Sequence, residues 1–344
     1  MAEIGKRLTV VDGERVEIEV FDVPEPGPGQ VLMRVSRSQV SAGSEKGRFR
    51  GPFNPAGHTP RPPGYTAVGR VQAVGPGVED FTAGDRVFAL GRHSSHLLVD
   101  TAPREDSTLS FAEGEFPGRP PQQIKFDITD EQACFSRLGD VALHGVRRAE
   151  LQPDESVVVF GQGVVGQLIV GVCRLAGGYP IVAVDLDPER LALSKKSGAT
   201  HIVDASTTDA VEEVMAITGE GARCVFHANR DAQVLDDCVR SAGYAGKVVL
   251  VGATGGTLEM RLGPLLSREI DVRGSQWQVD YPHKYYPWST PRNRSAIMRM
   301  IESGDLSVEH LISHVAKPEE AHELYRLIVA GPKGWMGIFF DWND

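Results

Sequence analysis

Three glycines at mid-chain constrain this sequence most. Gly161, Gly163 and Gly166 come directly after a short apolar run, in Glu155-Ser-Val-Val-Val-Phe-Gly-Gln-Gly-Val-Val-Gly. A strand that passes into a helix through G-x-G-x-x-G has the build of a dinucleotide site. The first glycine makes the tight turn, the second lets backbone approach a pyrophosphate, and the third lets the helix pack close to the strand. The positive N-terminal end of that helix, opened by Val164 and Val165, then faces the phosphates. The same glycines serve packing alone in an ordinary buried strand–turn–helix, and 38 glycines among 344 residues make chance matches easy. Two features favour the dinucleotide. The second apolar strand, 179–185, ends in Asp185, 24 positions after Gly161 and near the offset of a ribose-binding acid. The segment 166–177 between them reads as the crossover helix of a βαβ unit.

A chain of 344 residues has room for two domains, each with a sizeable core. A net charge of −10 argues against nucleic acid or an anionic membrane as partner, since both select for basic surface. The apolar stretch 157–177 is interrupted by Gln162, Gln167 and Arg174, so it does not read as a membrane span. Residues 1–7 lack the apolar core of a signal peptide, and the expected location is cytoplasmic. Cys134, Cys173, Cys224 and Cys238 show no C-x-x-C spacing, which argues against a zinc ribbon or a dithiol redox pair; buried, reduced thiols are expected.

Short alternating strands at 15–21, 30–35, 68–75 and 84–90, separated by Gly/Pro turns, give the first third a β-barrel pattern. From residue 131 the pattern changes. Helices are expected at 131–151, 166–177, 188–197, 210–218 and 232–242, and strands at 156–160, 181–185, 201–203, 224–227, 247–252 and 271–274. Such alternation predicts a parallel sheet covered by helices, hence an α/β fold with a doubly wound sheet beside a β-barrel. A helix over 291–304 and a short mixed tail complete the chain.

Several motifs occur in a set order: Gln30-Val-Leu-Met-Arg-Val; Pro63-Gly-Tyr-Thr-Ala-Val-Gly-Arg-Val-Gln-Ala-Val-Gly-Pro-Gly-Val with Phe81-Thr-Ala-Gly-Asp-Arg-Val; Val141-Ala-Leu-His-Gly-Val-Arg-Arg-Ala; 246–252; and Glu309-His-Leu-Ile-Ser-His. That order resembles, nearly end to end, the medium-chain dehydrogenase/reductase superfamily of zinc alcohol and polyol dehydrogenases and their metal-free relatives. The resemblance implies a GroES-like catalytic domain at 1–137 and 314–344 around a Rossmann domain at 138–313. It also implies a nicotinamide cofactor, and homodimers or homotetramers joined through the edge of the Rossmann sheet.

The departures bear on mechanism. Zinc members carry a catalytic Cys where this chain reads Ser41-Ala-Gly-Ser-Glu45, and a His-Glu pair where it has Tyr65 and Thr66. Their third ligand, Cys or Glu, aligns with Arg137, and the four-cysteine lobe of the structural zinc is absent. A cation is a poor neighbour for Zn²⁺, and Ser or Tyr is an uncommon ligand, so neither metal site is expected. A rearranged set of Glu45, His58, His93 and His96 is the alternative. Zinc lowers the pKa of bound water from about 15.7 to about 7, so without it a general base or fixed donors must handle the substrate oxygen.

Tyr65 offers a phenol for that task, or merely fills the hole left by the metal; Arg137 offers a fixed positive charge, or bridges to Glu45. Ser44 aligns with the hydroxyl that relays protons in zinc members, although hydroxyls are common at helix starts. His93 or His96 can act as base from the cleft, or lie on the surface; His144 reads as structural, and Lys46 and Arg48 as a solvated face. The aromatic loop 281–288 suits stacking on a ring substrate or a dimer contact.

Asp185 is followed by Leu186 and Asp187, with no basic residue before Arg190, which favours NAD over NADP. Arg190 pairs with a neighbouring acid or packs on adenine, while Asn229 and Gly252 occupy strand ends that line the cofactor in similar proteins. The first reading is a zinc-independent, NAD-dependent dehydrogenase of a secondary alcohol: a polyol, cyclitol or sugar, or a larger ring such as a bacteriochlorophyllide hydroxyethyl group. Two others compete with it. One is an NAD(P)H-dependent quinone or enoyl reductase, and the other a cofactor-binding protein without catalysis.

Overall fold

The change from short strands to β/α alternation marks a division of the chain. A computed structural model describes residues 3–11, 15–49, 62–102, 119–252, 254–255, 257–275, 287–331 and 333–343. It separates into one unit of Met1–Phe135 with Ile312–Asp344 and a second of Ser136–Leu311. Both junctions fall two residues before those read from the sequence, so Arg137 belongs to the second unit. In chain order the first unit opens with β1 (Ile4–Val11), β2 (Arg15–Asp22), β3 (Gln30–Val40), α1 (Ala42–Phe49), β4 (Ala67–Val74), β5 (Arg86–Ala89), β6 (His96–Asp100), β7 (Gln122–Gln123) and α2 (Asp130–Cys134). The second holds α3 (Ser136–Ala149), β8 (Val157–Phe160), α4 (Val164–Leu175), β9 (Ile181–Asp185), α5 (Pro188–Ser197), β10 (His201–Asp204), α6 (Ala210–Thr218) and β11 (Ala222–His227). It ends with α7 (Val234–Ser241), β12 (Ala242–Leu250), α8 (Gly263–Ser267), β13 (Asp271–Gly274) and α9 (Thr290–Glu302). The first unit is then completed by β14 (Ile312–Ala316), α10 (Ala321–Ala330) and β15 (Gly337–Asp341).

In the first unit β3 organises a seven-stranded sheet. β4 runs along one of its edges, while the opposite edge is shared by β6, paired with residues 30–34, and β15, paired with residues 37–40. Val31, Met33, Val35 and Val40 of β3 pack with Ala67, Val87, Tyr325 and Phe340 in one apolar core. The tail expected to be short and mixed therefore supplies a central strand and a helix of that unit.

The second unit is a six-stranded, wholly parallel sheet in the order β10-β9-β8-β11-β12-β13, with the chain order reversing between β8 and β11. This is the doubly wound dinucleotide-binding topology. All four residues of β8 are buried, as a central strand covered on both faces requires. Local signals set the helix ends. Asp187 caps α5 through the Glu189 amide, Asp209 caps α6 through those of Val211 and Glu212, and Gly198 stops α5 in the left-handed region at φ 114°.

The long helix expected over 131–151 is two helices, broken at Phe135, where α2 ends and α3 begins. β12 starts at Ala242, five residues before the expected strand, directly from the end of α7. All four cysteines are buried and free of disulfides. No described helix is long and apolar enough to cross a membrane.

Candidate active site

The glycine loop of the second unit divides its labour as the motif requires. Gly161 follows β8 at φ +95°, and a Cβ there would lie 2.8 Å from the Ala228 carbonyl oxygen. A Cβ on Gly166 would lie 1.9 Å from the Gly161 oxygen, so helix and turn are closer than any side chain allows. Gly163 differs: its Cβ would meet nothing within 4 Å. Gly163 is also the N-cap of α4, and no side chain caps that helix, which leaves the first-turn amides, including those of Val164 and Val165, for an anion.

Asp185 ties this loop to the end of β9. Its Oδ2 accepts the Gln162 amide at 2.5 Å and its Oδ1 the Asp187 amide at 2.9 Å. Remaining lone pairs on the carboxylate can take ribose hydroxyls. Arg190 Nε lies 3.5 Å from Asp187 Oδ2. Gln162, Gln167 and Ser194, which the motif does not single out, brace the loop from beneath. Gln162 donates to the Val159 carbonyl and accepts from Ser194, while Gln167 donates to Ser194 and to the Arg190 carbonyl.

Asn229 accepts the amides of Arg230 and Asp231 on its own side-chain oxygen, so that atom shapes its turn. A Cβ on Gly252 would lie 2.0 Å from the Asn229 carbonyl oxygen, so the ends of β11 and β12 are in close backbone contact. The loop geometry fits a dinucleotide: an open approach at Gly163, uncapped amides behind it, and a carboxylate at the second strand's end.

In the first unit a chain of buried polar groups runs Trp342–Ser38–His93–Glu45–Tyr325. The Trp342 indole, which can only donate, gives its proton to Ser38 Oγ at 2.8 Å. Ser38 Oγ and His93 Nδ1 are hydrogen-bonded at 2.7 Å, in a direction set by the tautomer, and the other ring nitrogen is Nε2. That nitrogen lies 3.4 Å from Glu45 Oε2, which also accepts the Tyr325 hydroxyl, while Oε1 accepts the Ser41 amide at 2.8 Å. Glu45, His93 and Ser38 are all 0% exposed.

His93 is therefore not a surface histidine. Its ring lies against Gly64, where a Cβ would come within 2.7 Å of it, and its amide donates to the Pro63 carbonyl. Next to that contact Tyr65 is buried, at 5% exposure. Ser44 is half-buried and accepts the Ser41 hydroxyl at 3.3 Å.

His96 turns to Glu3, and burial pushes its pKa down. Arg137 pairs with Asp140 on its own helix at 3.4 Å, and both side chains are buried. At i,i+3 spacing on one helix these two lie side by side. His144 is buried on α3, where burial, then Arg148 and Arg147, pull its pKa down to about 4, in keeping with a structural role. Of the aromatic loop, 281–286 falls outside the described residues; Trp288 stacks against Arg147 and Arg292, 3.6 and 4.4 Å from its ring centre. His58 and the side chains of Lys46 and Arg48 also lie outside the described residues.

Residues 27–108 match the family described as alcohol dehydrogenase GroES-like domain, and residues 164–290 the family described as zinc-binding dehydrogenase, together more than half of the chain. The chain belongs to the medium-chain alcohol dehydrogenase superfamily. Among its members the chain is 27% identical to L-threonine 3-dehydrogenase of Pyrococcus furiosus, with 97% of each chain covered. It is 27% identical to sorbitol dehydrogenase of Bacillus subtilis, with 92% of each covered. It is 25% identical to 2-desacetyl-2-hydroxyethyl bacteriochlorophyllide A dehydrogenase of Cereibacter sphaeroides, with 97% of each covered.

Two solved structures share the fold at TM-score 0.80 and 20% identity, each covering 98% of this chain and 99% of its own. One is a zinc-binding dehydrogenase of Sinorhizobium meliloti 1021 bound to NADP, the other an alcohol dehydrogenase of Escherichia coli CFT073 complexed with NADH.

The stretches that the resemblance sets against zinc ligands hold Ser41-Ala-Gly-Ser-Glu45, Tyr65-Thr66 and Arg137. Among the described residues no group of three or more His, Cys, Asp or Glu is placed to hold a metal ion. Burial, with Asp130 and Glu131 nearby, raises the Cys134 thiol well above its ordinary range.

Proposed function

We propose that this protein is a zinc-independent, NAD-dependent dehydrogenase that oxidises a secondary alcohol, on a polyol, cyclitol or sugar or on a larger ring. The single observation that carries the cofactor reading is the open space before Gly163, backed by the uncapped start of α4. The preference for NAD rests on Asp185, whose carboxylate suits ribose hydroxyls and would repel a 2′-phosphate. The alcohol class draws on the sorbitol and bacteriochlorophyllide dehydrogenases among the relatives, and zinc independence on the donor set just described.

A bound nicotinamide supplies the hydride acceptor; the chain supplies binding and proton handling. The amides at the start of α4 hold the pyrophosphate, and Asp185 orients the ribose. Tyr65 holds the substrate proton at its phenol oxygen, with Ser44 as the hydroxyl that passes it on. Glu45 and His93 keep the buried polar network of the first unit fixed. We further assign a homodimer or homotetramer, built on the edge strand β13 and the preceding α8, where Val272 of the strand and Leu262 and Leu266 at the helix are 45%, 66% and 84% exposed. The four buried, disulfide-free cysteines accord with a cytoplasmic location.

The test is absorbance at the reduced-nicotinamide band with a panel of polyols, cyclitols and sugars, with NAD and NADP in parallel, before and after exhaustive chelation. Turnover with NAD that survives chelation and occurs without stoichiometric zinc supports the proposal; loss on chelation, restored by zinc, overturns its metal-free part. Quinone reduction with NADPH, and no alcohol oxidation, would favour the reductase branch. Tyr65→Phe should lower turnover by about 10²–10⁴ if the phenol handles the proton, and a rate near wild type would make Tyr65 a filler.

A further inference from the structure

The buried imidazole at the end of β11 has no part in the proposed chemistry, yet it joins two loops. His227 is 0% exposed, and its Nε2 lies 3.0 Å from the Asp231 backbone oxygen, which can only accept, so that nitrogen carries the proton. Burial holds the ring's pKa below its ordinary value, which leaves it neutral near pH 7 with a bare Nδ1. Thr254 Oγ1 stands 3.2 Å from Nδ1, with the Asn229 and Gly252 carbonyl oxygens at 3.1 and 3.3 Å, so its one proton is shared among three acceptors. One ring thereby links the turn after β11 to the turn after β12. The backbones pack accordingly: a Cβ on Gly252 would meet the Asn229 oxygen at 2.0 Å, and one on Gly161 the Ala228 oxygen at 2.8 Å.

The strand order decides what this linkage holds. The chain order reverses between β8 and β11, so a dinucleotide laid across the strand ends places its adenosine half over β8 and β9, beside Asp185. Its nicotinamide half falls over β11 and β12. We propose that His227 is a positioning residue for the nicotinamide half of the site, joining residues 229–231 to Gly252 and Thr254 in one floor through Asp231 and Thr254. The inference rests on the dinucleotide reading above and assigns His227 no contact with the reacting atoms.

The test compares calorimetric titrations of NADH and of ADP, which carries only the adenosine half, into wild type, His227→Leu, Thr254→Val and the double variant. Each single variant should weaken NADH by about tenfold and leave ADP within about twofold. The double variant should be no weaker than the worse single one, because both substitutions cut the same link. Thr254→Val preserves shape and carries the test even where His227→Leu does not fold. Unchanged NADH affinity in Thr254→Val, or equal weakening of NADH and ADP, overturns the proposal. Wild-type protein that binds neither ligand overturns the dinucleotide reading itself, an outcome distinct from the other two.

Discussion

The three loop glycines are chemically identical, yet their surroundings make opposite demands. Gly163→Ala places a methyl group where nothing lies within 4 Å, so folding should tolerate it, while the approach of a pyrophosphate should not. The expected result is a thermal midpoint close to wild type with NADH affinity lowered about tenfold or more. Gly166→Ala drives a methyl group to 1.9 Å from the Gly161 oxygen and should instead cost about 1–3 kcal/mol of stability, read from denaturant unfolding. Spacing alone announced these roles, because backbone geometry ties each one to its neighbours in sequence. Asp185 was legible for the same reason, standing at the end of its own apolar strand. The partners of Glu45 were not. Tyr325 lies 280 residues away in sequence and Trp342 lies 304 from Ser38, and no local pattern says which distant donor a buried carboxylate will find.

Among the elements, those with their own start and stop signals emerged within a residue or so of expectation. α5 carries Asp187, Pro188 and Gly198, and its bounds match the expected 188–197. The helix expected over 131–151 was misjudged because α2 and α3 continue one apolar pattern across Phe135, and only the backbone there records the break. α10 was legible in part: Ala321, Leu324, Tyr325 and Ile328 recur at helical spacing before Gly331, yet tail position and short length obscured it. That helix matters beyond its packing, since Tyr325 brings a hydroxyl to Glu45. Tyr325→Phe keeps the ring in its apolar setting and removes one donor from a buried carboxylate. The expected loss is about 1.5–3 kcal/mol in denaturant unfolding, and Tyr325→Phe as stable as wild type would mean that Glu45 does not depend on this bond.

For the molecule as a whole, buried histidines set an acid limit on stability. His144 falls from an ordinary 6.5 to about 4, mainly through burial and then through Arg148 and Arg147. Because the folded value is the lower one, the unfolded chain takes up the proton first. Stability is complete above about pH 6.5 and drains away as pH falls toward 4, by about 3 kcal/mol for this residue. His227 and His310, lowered by burial as well, act in the same direction. Unfolding midpoints measured from pH 8 to 4 should decline through this window, and His144→Gln should flatten the decline; equal slopes would remove His144 as its source.

Two stretches far apart in the chain build the first unit, with Ser136–Leu311 between them. On the ribosome the nucleotide-binding half emerges complete and can fold while its companion still waits for β15 and α10. Until that segment appears, residues 37–40 of β3 lack a neighbour along one edge and Glu45 lacks the Tyr325 hydroxyl. The first unit is thus a clasp that stays open until Ile312–Asp344 has been made.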